Sequence, residues 1–343
     1  MEKEENKRLN NLDVLKAICA FLVICIHISY KDKLGNITTP ICRIAVPIFF
    51  MITGYFYYKT SKKPLKQIKK VFILILLASL LYFVFEMIIG GSPQIPSKED
   101  IKNSLLYNSS PFEFHLWYLN ALLYVLIIVY IADKLKIRKF LYFLIPILLI
   151  TNLIYGEYSL EVLNKNFDPI YMRNYLFVGL PYFLIGDLLY KYKDKLIQKI
   201  PTKLLAISIP ILGFTSVMEE HILNNLGKDA IGEIYISTTF FAVSVFLFAI
   251  KIKQVSSENI LAKIGRKYST YIYILHVMFI NIFNKYVTVN NNILNNTIQI
   301  IIFFASLLVS VMYVKAKKKI MIGWKKYNKA SKILMLTTGK ESN

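Results

Sequence analysis

Ten apolar runs, most of them long enough to cross about 30 Å of hydrocarbon, constrain this chain more than any motif in it. They lie at about 12–30, 41–58, 68–89, 116–132, 139–155, 173–190, 203–217, 232–250, 268–285 and 293–314. Each is apolar on every side, so they predict helices. Strands of a membrane barrel would alternate over about ten residues. The run at 203–217 is the weakest, because Pro210 and Gly213 interrupt it. Of the 343 residues 55% are hydrophobic, and the mean hydropathy is +0.47. That apolar content excludes a disordered chain and argues against a nucleic-acid binder, which needs a soluble basic face. The expected fold is all-α: a polytopic transmembrane bundle of about ten helices in the cell membrane, with no internal repeat.

Lysine and arginine orient the bundle. With both termini cytoplasmic, the inner segments carry 32 of the 42 basic residues and the outer connections carry 8. Lys16 and Arg43 complete the total. The net charge of +21 is therefore a signal of orientation and says little about an acidic partner. The domain reading is a cytoplasmic tail at 1–11, a ten-helix domain at 12–314 and a basic amphipathic cytoplasmic tail at 315–343 lying on the anionic inner leaflet. No signal peptide is expected, since no small-residue cleavage site follows the first run. The connection at 90–115, with its GGSPQIPS stretch, reads as a loop with a short helix. Cys19, Cys25 and Cys42 have no CxxC spacing and predict neither a disulfide framework nor a metal site.

Function must come from polar groups at membrane depth, where they are costly. Lys16 and His27 are eleven residues apart in the first run, about 20° beyond three full helical turns and roughly 16 Å along the axis. They share one stripe, and Asp13 is placed to pair with Lys16. The plainer reading has Lys16 snorkelling and His27 bonded to a carbonyl; the aligned pair favours a functional stripe. Arg43, Glu86, His115, Trp117 and Arg173 lie near outer ends, and His276 lies mid-run. Singly, the arginines read as snorkelling, Trp117 as an aromatic-belt residue and Glu86 as a solvated helix end. Together, histidines and a carboxylate supply proton transfer, and arginines bind oxyanions or hydroxyl-bearing acceptors.

Four separated segments resemble the integral-membrane acyltransferase 3 family: LDVLKAICAFLVICIH, with Lys16 and His27; VPIFFMITGYF; HLWYLNALL; and IGRKYSTYIYILH, with His276. The resemblance covers roughly residues 8–314. The HLWYL and GLPYFLIG segments are also similar to the membrane half of the vancomycin-resistance serine racemases. Thr53 stands where the family usually has serine, and Lys66 and Lys69 stand for a pair of arginines, without their bidentate fork.

The resemblance implies O-acyl, and more narrowly O-acetyl, transfer from cytosolic acyl-CoA (acetyl-CoA) to a hydroxyl of an extracytoplasmic glycan or lipid-linked sugar. It leaves room for a separate extracytoplasmic partner protein. On that reading Asp13, Lys16, Lys66 and Lys69 serve the donor's phosphates. His27, with Glu86, His115 and His276, serves proton transfer. Arg43, Trp117 and Arg173 serve the acceptor or the oxyanion. The alternative is a transporter of a small polar molecule such as serine. Inverted repeats would mark one, and the sequence has no internal symmetry.

The lysine distribution makes a direct prediction. Reporter fusions after residues 34, 100, 165 and 225 should read as outside, and those after 62, 136, 197 and 257 as inside. Two or more reversals would remove the compartment assignment.

Overall fold

The computed structural model describes residues 9–60, 64–89, 95–226, 233–287 and 295–338, with side chains at 9–57, 64–89, 95–226, 233–287 and 295–322. Readings that fall on residues 1–8 and on the GGSPQ stretch lie outside the described residues. Every described element is helical. In chain order these are α1 (Asn10–His27), α2 (Asp32–Cys42), α3 (Ala45–Thr60), α4 (Pro64–Ile89), α5 (Lys98–Tyr107), α6 (Trp117–Lys134), α7 (Arg138–Tyr155), α8 (Ser159–Leu163), α9 (Leu180–Lys191), α10 (Lys193–Lys199), α11 (Thr202–Asn225), α12 (Ile236–Lys251), α13 (Ile260–Lys267), α14 (Ser269–Tyr286) and α15 (Ile298–Thr338).

Seven helical stretches are long and apolar enough to cross a membrane: Asn10–His27, Asp32–Tyr57, Pro64–Ile89, Phe114–Lys134, Arg138–Tyr155, Thr202–Asn225 and Ile298–Ile322. The run expected to be weakest is one of them. Pro210 sits inside an unbroken 24-residue helix, and Gly213 faces the Phe241 ring across a helix contact. The runs at 173–190, 232–250 and 268–285 are helical but fall outside these seven. One is a π-turn (Tyr175–Gly179) leading into the 12-residue α9, one is the 16-residue α12, and α14 carries His276, Asn281 and Asn284 on its 18 residues. The short helix expected in the 90–115 connection is α5, which a Ser97–Asp100 capping box starts. Helix α15 runs through residue 315 without a break.

The helices sort into an inner and an outer set. The apolar windows of α1, of α2–α3 and of α6 are 56% buried, whereas those of α4, α7 and α11 are 17% buried. Exposed apolar side chains such as Phe72, Leu76 and Leu80 on α4 and Phe140, Phe143 and Ile147 on α7 would aggregate in water. In lipid they are the outer wall of the bundle.

Inner contacts are made backbone to backbone. A Cβ on Gly54 of α3 would lie 1.9 Å from the Phe183 carbonyl oxygen on α9, and one on Gly186 of α9 would lie 1.9 Å from that of Met51. The same reasoning joins α1 to α13, where a Cβ on Gly265 would lie 1.7 Å from the Asp13 carbonyl oxygen. Small residues permit such approaches between membrane helices. Gly186→Ala should therefore cost about 1–3 kcal/mol of stability through overpacking, read as a lowered melting temperature in detergent. A melting temperature equal to that of the parent would contradict the close α3–α9 contact.

Candidate active site

The three histidines singled out in the sequence come from distant parts of the chain and meet. His27 is the last residue of α1, His115 sits in a 3-10 turn (Phe114–Leu116) that leads into α6, and His276 lies at mid-length in α14. The His276 ring centroid is 5.0 Å from that of His27 and 5.0 Å from that of His115; His27 and His115 are 6.1 Å apart. His115 and His276 are buried, while His27 is exposed to the cavity described below.

The imidazoles are held differently. His276 Nδ1 lies 2.6 Å from the Tyr273 carbonyl oxygen. That contact assigns the proton to Nδ1 and leaves Nε2 as a lone pair with no partner among the described residues. Neither His115 nitrogen has a hydrogen-bond partner among the described residues, and Glu113 Oε1 is 4.0 Å from its Nδ1. Tyr273 donates its hydroxyl to the His115 carbonyl. Tyr82, fully buried, donates to the Ile274 carbonyl (2.7 Å) and accepts from the Met278 N–H (3.2 Å). Both groups belong to the α14 segment that carries His276, so the Tyr82 hydroxyl is fastened to the backbone around that histidine.

On one side of the histidines is a cavity of about 40 Å³ bordered by His27, Arg43, Trp117, Arg173 and Glu233. Glu233 accepts a hydrogen bond from Arg43 Nη1 at 3.1 Å and forms an ion pair with Arg173, whose Nε lies 3.0 Å away. One carboxylate against two guanidinium groups leaves a net positive charge beside His27. The Arg173 guanidinium also lies over the Phe114 ring, 4.4 Å from its centroid. Asn174 caps the π-turn that follows Arg173, accepting from the Leu176 and Phe177 N–H groups. Asn108, in a left-handed conformation with φ 55°, donates to the Trp117 carbonyl and accepts from the Tyr175 N–H. It thus ties the Trp117 and Arg173 segments together.

On the other side is a larger cavity of about 330 Å³. Lys16, Lys70 and Arg266 give it a basic rim that Gln67 joins as a neutral amide, and Thr53, Tyr118 and Tyr273 line it toward the histidines. Tyr273 is in ring contact with both His115 and His276. Asp13 holds Lys16 at 3.2 Å, and the Lys16 ammonium lies 5.3 Å from the Phe56 ring centroid. Thr53 donates to the Phe49 carbonyl, a bond that serine would also make, and lines the cavity beside Tyr118.

Two expectations fare differently. Glu86 is half-buried on α4, one turn past Tyr82; it borders neither cavity and makes no hydrogen bond or ion pair with the described residues. The carboxylate at His115 is Glu113 instead. Lys66 and Lys69 do not join Lys16: they border a separate groove, which adjoins the basic cavity through Lys70 and Arg266. Sequence reasoning also missed Glu233, Gln67, Tyr82 and Tyr273. Arg266 and Tyr273 sit inside the IGRKYSTYIYILH segment and Glu113 lies two residues before HLWYLNALL, which was the available signal. Glu233 and Tyr82 carried none.

Behind Arg43 lies a further carboxylate. Burial pushes Glu157, outside the helices, from the ordinary 4.5 up to about 8, against the opposing pull of Arg43. A carboxyl with a raised folded-state value favours folding while it stays protonated. Its contribution is full below pH 4.5 and is lost as pH rises toward 8, at no more than about 1.4 kcal/mol per pH unit. Thermal melts at pH 5–9 should show Glu157→Gln losing less stability than the parent across that window. Parallel pH profiles would show that Glu157 is already ionised in the folded protein.

The family model described as "Acyltransferase domain" matches residues 9–315. Among curated proteins, an amino-acid racemase of Enterococcus faecalis is 26% identical over 95% of this chain and 49% of its own length. A serine/alanine racemase of Enterococcus gallinarum is 29% identical over 35% of this chain and 18% of its own. The chain therefore spans about half the length of the first of these relatives. No solved structure matches it.

Proposed function

The chain belongs to the acyltransferase family whose model spans nearly all of it, and from that membership we propose a membrane O-acetyltransferase that carries acetyl groups from cytosolic acetyl-CoA to a hydroxyl of an extracytoplasmic glycan or lipid-linked sugar. The observation that carries this reading is the position of the three imidazoles between two unlike cavities. Tyr118 faces the basic cavity and its neighbour Trp117 faces the arginine cavity, so the start of α6 separates them.

In this reading the bundle crosses the membrane ten times with both ends cytoplasmic, in the plasma membrane. The basic cavity takes the donor: Lys16, Lys70 and Arg266 hold phosphate oxygens, and the pantetheine arm lies along Phe49, Ile52 and Leu122 with its thioester toward Tyr118 and Tyr273. The arginine cavity takes the acceptor. His27 accepts the proton of the acceptor hydroxyl as that oxygen attacks the thioester carbonyl. The carbon–oxygen bond forms, the carbon–sulfur bond breaks, and the proton passes from the imidazole to the departing thiolate. The free Nε2 of His276 and the Glu113–His115 pair supply a relay for that proton. The net positive charge of Arg43 and Arg173 stabilises the developing oxyanion or an anionic acceptor. A separate extracytoplasmic protein completes the transfer if the acceptor lies beyond reach of the bilayer.

Purified protein in vesicles with labelled acetyl-CoA and cell-envelope fractions tests this directly. Label should pass to an envelope glycan or lipid-linked sugar. His27→Ala should abolish transfer while the protein remains folded, and near-normal turnover in that variant would end the mechanism. Lys16→Ala should raise the KM for acetyl-CoA roughly tenfold, as expected for one lost charge-assisted hydrogen bond, and Lys16→Arg should restore it. Serine uptake into the vesicles with no CoA requirement and no transfer would overturn the proposal.

A further inference from the structure

The groove that takes Lys66 and Lys69 away from the donor cavity has its own chemistry. It measures about 410 Å³. Helices α4 and α15 form its sides, and Thr270 and Tyr271 of α14 lie between them. At one end are the cations Lys66, Lys69, Lys267 and Lys317, none of which makes an ion pair among the described residues. At the other end are Ile73 and Leu77, exposed by 44% and 52%.

The order along α4 is informative. Positions 66, 69, 73 and 77 recur at steps of three and four, so they form one stripe of the helix. The stripe changes character along its length rather than across it: two ammonium groups come first, then two bare apolar side chains. Eleven residues at 1.5 Å place Leu77 about 16 Å from Lys66 along the axis. The facing helix repeats the order in reverse, with Lys317 at the charged end and Tyr313, 43% exposed, one turn inward. Both α4 and the Ile298–Ile322 part of α15 are apolar enough to cross a membrane. The groove's apolar end therefore faces acyl chains, and its cationic end lies at the leaflet that the lysine distribution makes the inner one.

From this we infer that the groove between α4 and α15 is a binding site for an anionic phospholipid, its phosphodiester held by Lys66, Lys69, Lys267 and Lys317 and its acyl chain laid along Ile73 and Leu77. A soluble phosphate compound would match the cations but leave the apolar half unused. A zwitterionic lipid would bring its own ammonium against four others. Basic pockets between membrane helices at the inner leaflet suit headgroups of net negative charge. Lys70 and Arg266 border both this groove and the basic cavity. A lipid phosphate drawn toward them competes with whatever anion that cavity takes. The inference does not depend on the acyltransferase mechanism, and its test contains no donor or acceptor.

The experiment is displacement of a fluorescent cardiolipin from the full-length protein in mixed micelles, by unlabelled cardiolipin, phosphatidylglycerol, phosphatidylcholine or inorganic phosphate. The two anionic lipids should displace the probe at least about tenfold more effectively than phosphatidylcholine, and inorganic phosphate should not displace it. The Lys66→Gln, Lys69→Gln, Lys317→Gln triple variant should weaken probe binding by about tenfold or more. The double variant Lys134→Gln, Lys136→Gln, which removes two cations from the same side of the bundle away from the groove, should leave it unchanged. Leu77→Trp fills the apolar end at constant charge and should also weaken binding, which keeps the test decisive if the triple variant does not fold. Equal loss in the control and groove variants would reduce the effect to bulk surface charge and overturn the site. Displacement by inorganic phosphate, or unchanged binding in Leu77→Trp, would overturn the lipid as its occupant.

Discussion

Ionisable groups inside a hydrocarbon-embedded bundle must find partners among themselves, and in this protein one shared carboxylate organises that pairing. Glu233 pairs with Arg43 at the start of the α3 segment and with Arg173 ahead of α9, two positions far apart in sequence. Either guanidinium alone, desolvated beside the α1 end, would be costly. Bridged by Glu233 they define one wall of the cavity that His27 faces, with one positive charge in excess. The rest of the site follows from the helices this bridge gathers. α1 brings His27, the turn before α6 brings His115 and Trp117, and α14 closes the group with His276.

The second organising device is close approach. Gly54 and Gly186 let α3 and α9 touch through their backbones, and Gly265 does the same for α1 and α13. The α1–α13 contact fixes where Lys16 stands relative to Arg266, which share the rim of the basic cavity. Neither glycine contact involves a functional group, yet both set the separation of the helices that carry them. This explains how a site assembled from many helices retains defined geometry where no hydrophobic force drives helix against helix.

The apolar runs were legible because a helix in lipid must be apolar on all sides, and the histidines because an imidazole at depth stands out against such a background. The same contrast hid the rest. Glu113 and Glu233 sit in connections crowded with other acids, where nothing in the sequence separates a paired carboxylate from a solvated one. Glu86 stood out only by lying within an apolar run, and it faces neither cavity. Lys66, Lys69 and Lys70 are neighbours in sequence, but the helical turn directs Lys70 to the shared wall and the others to the outer groove. Three residues cover about 300° of a helix, so a run of lysines states how much charge is present and not which cavity it serves. The three runs that fall short of a full apolar span are those with π-turn geometry, a shorter helix or the mid-helix histidine.

A layer of tyrosines stands between the two cavities. Tyr118 and Tyr273 are in ring contact at 5.3 Å between the basic cavity and the imidazoles. Tyr273 is fastened by its hydroxyl to the His115 carbonyl, and Tyr82 is fastened to the α14 backbone around His276. An aromatic layer of this kind excludes water from the imidazoles more effectively than an open tunnel would. Its hydroxyls tie it to the same backbone that carries the histidines, so movement of the layer and movement of the imidazoles are coupled.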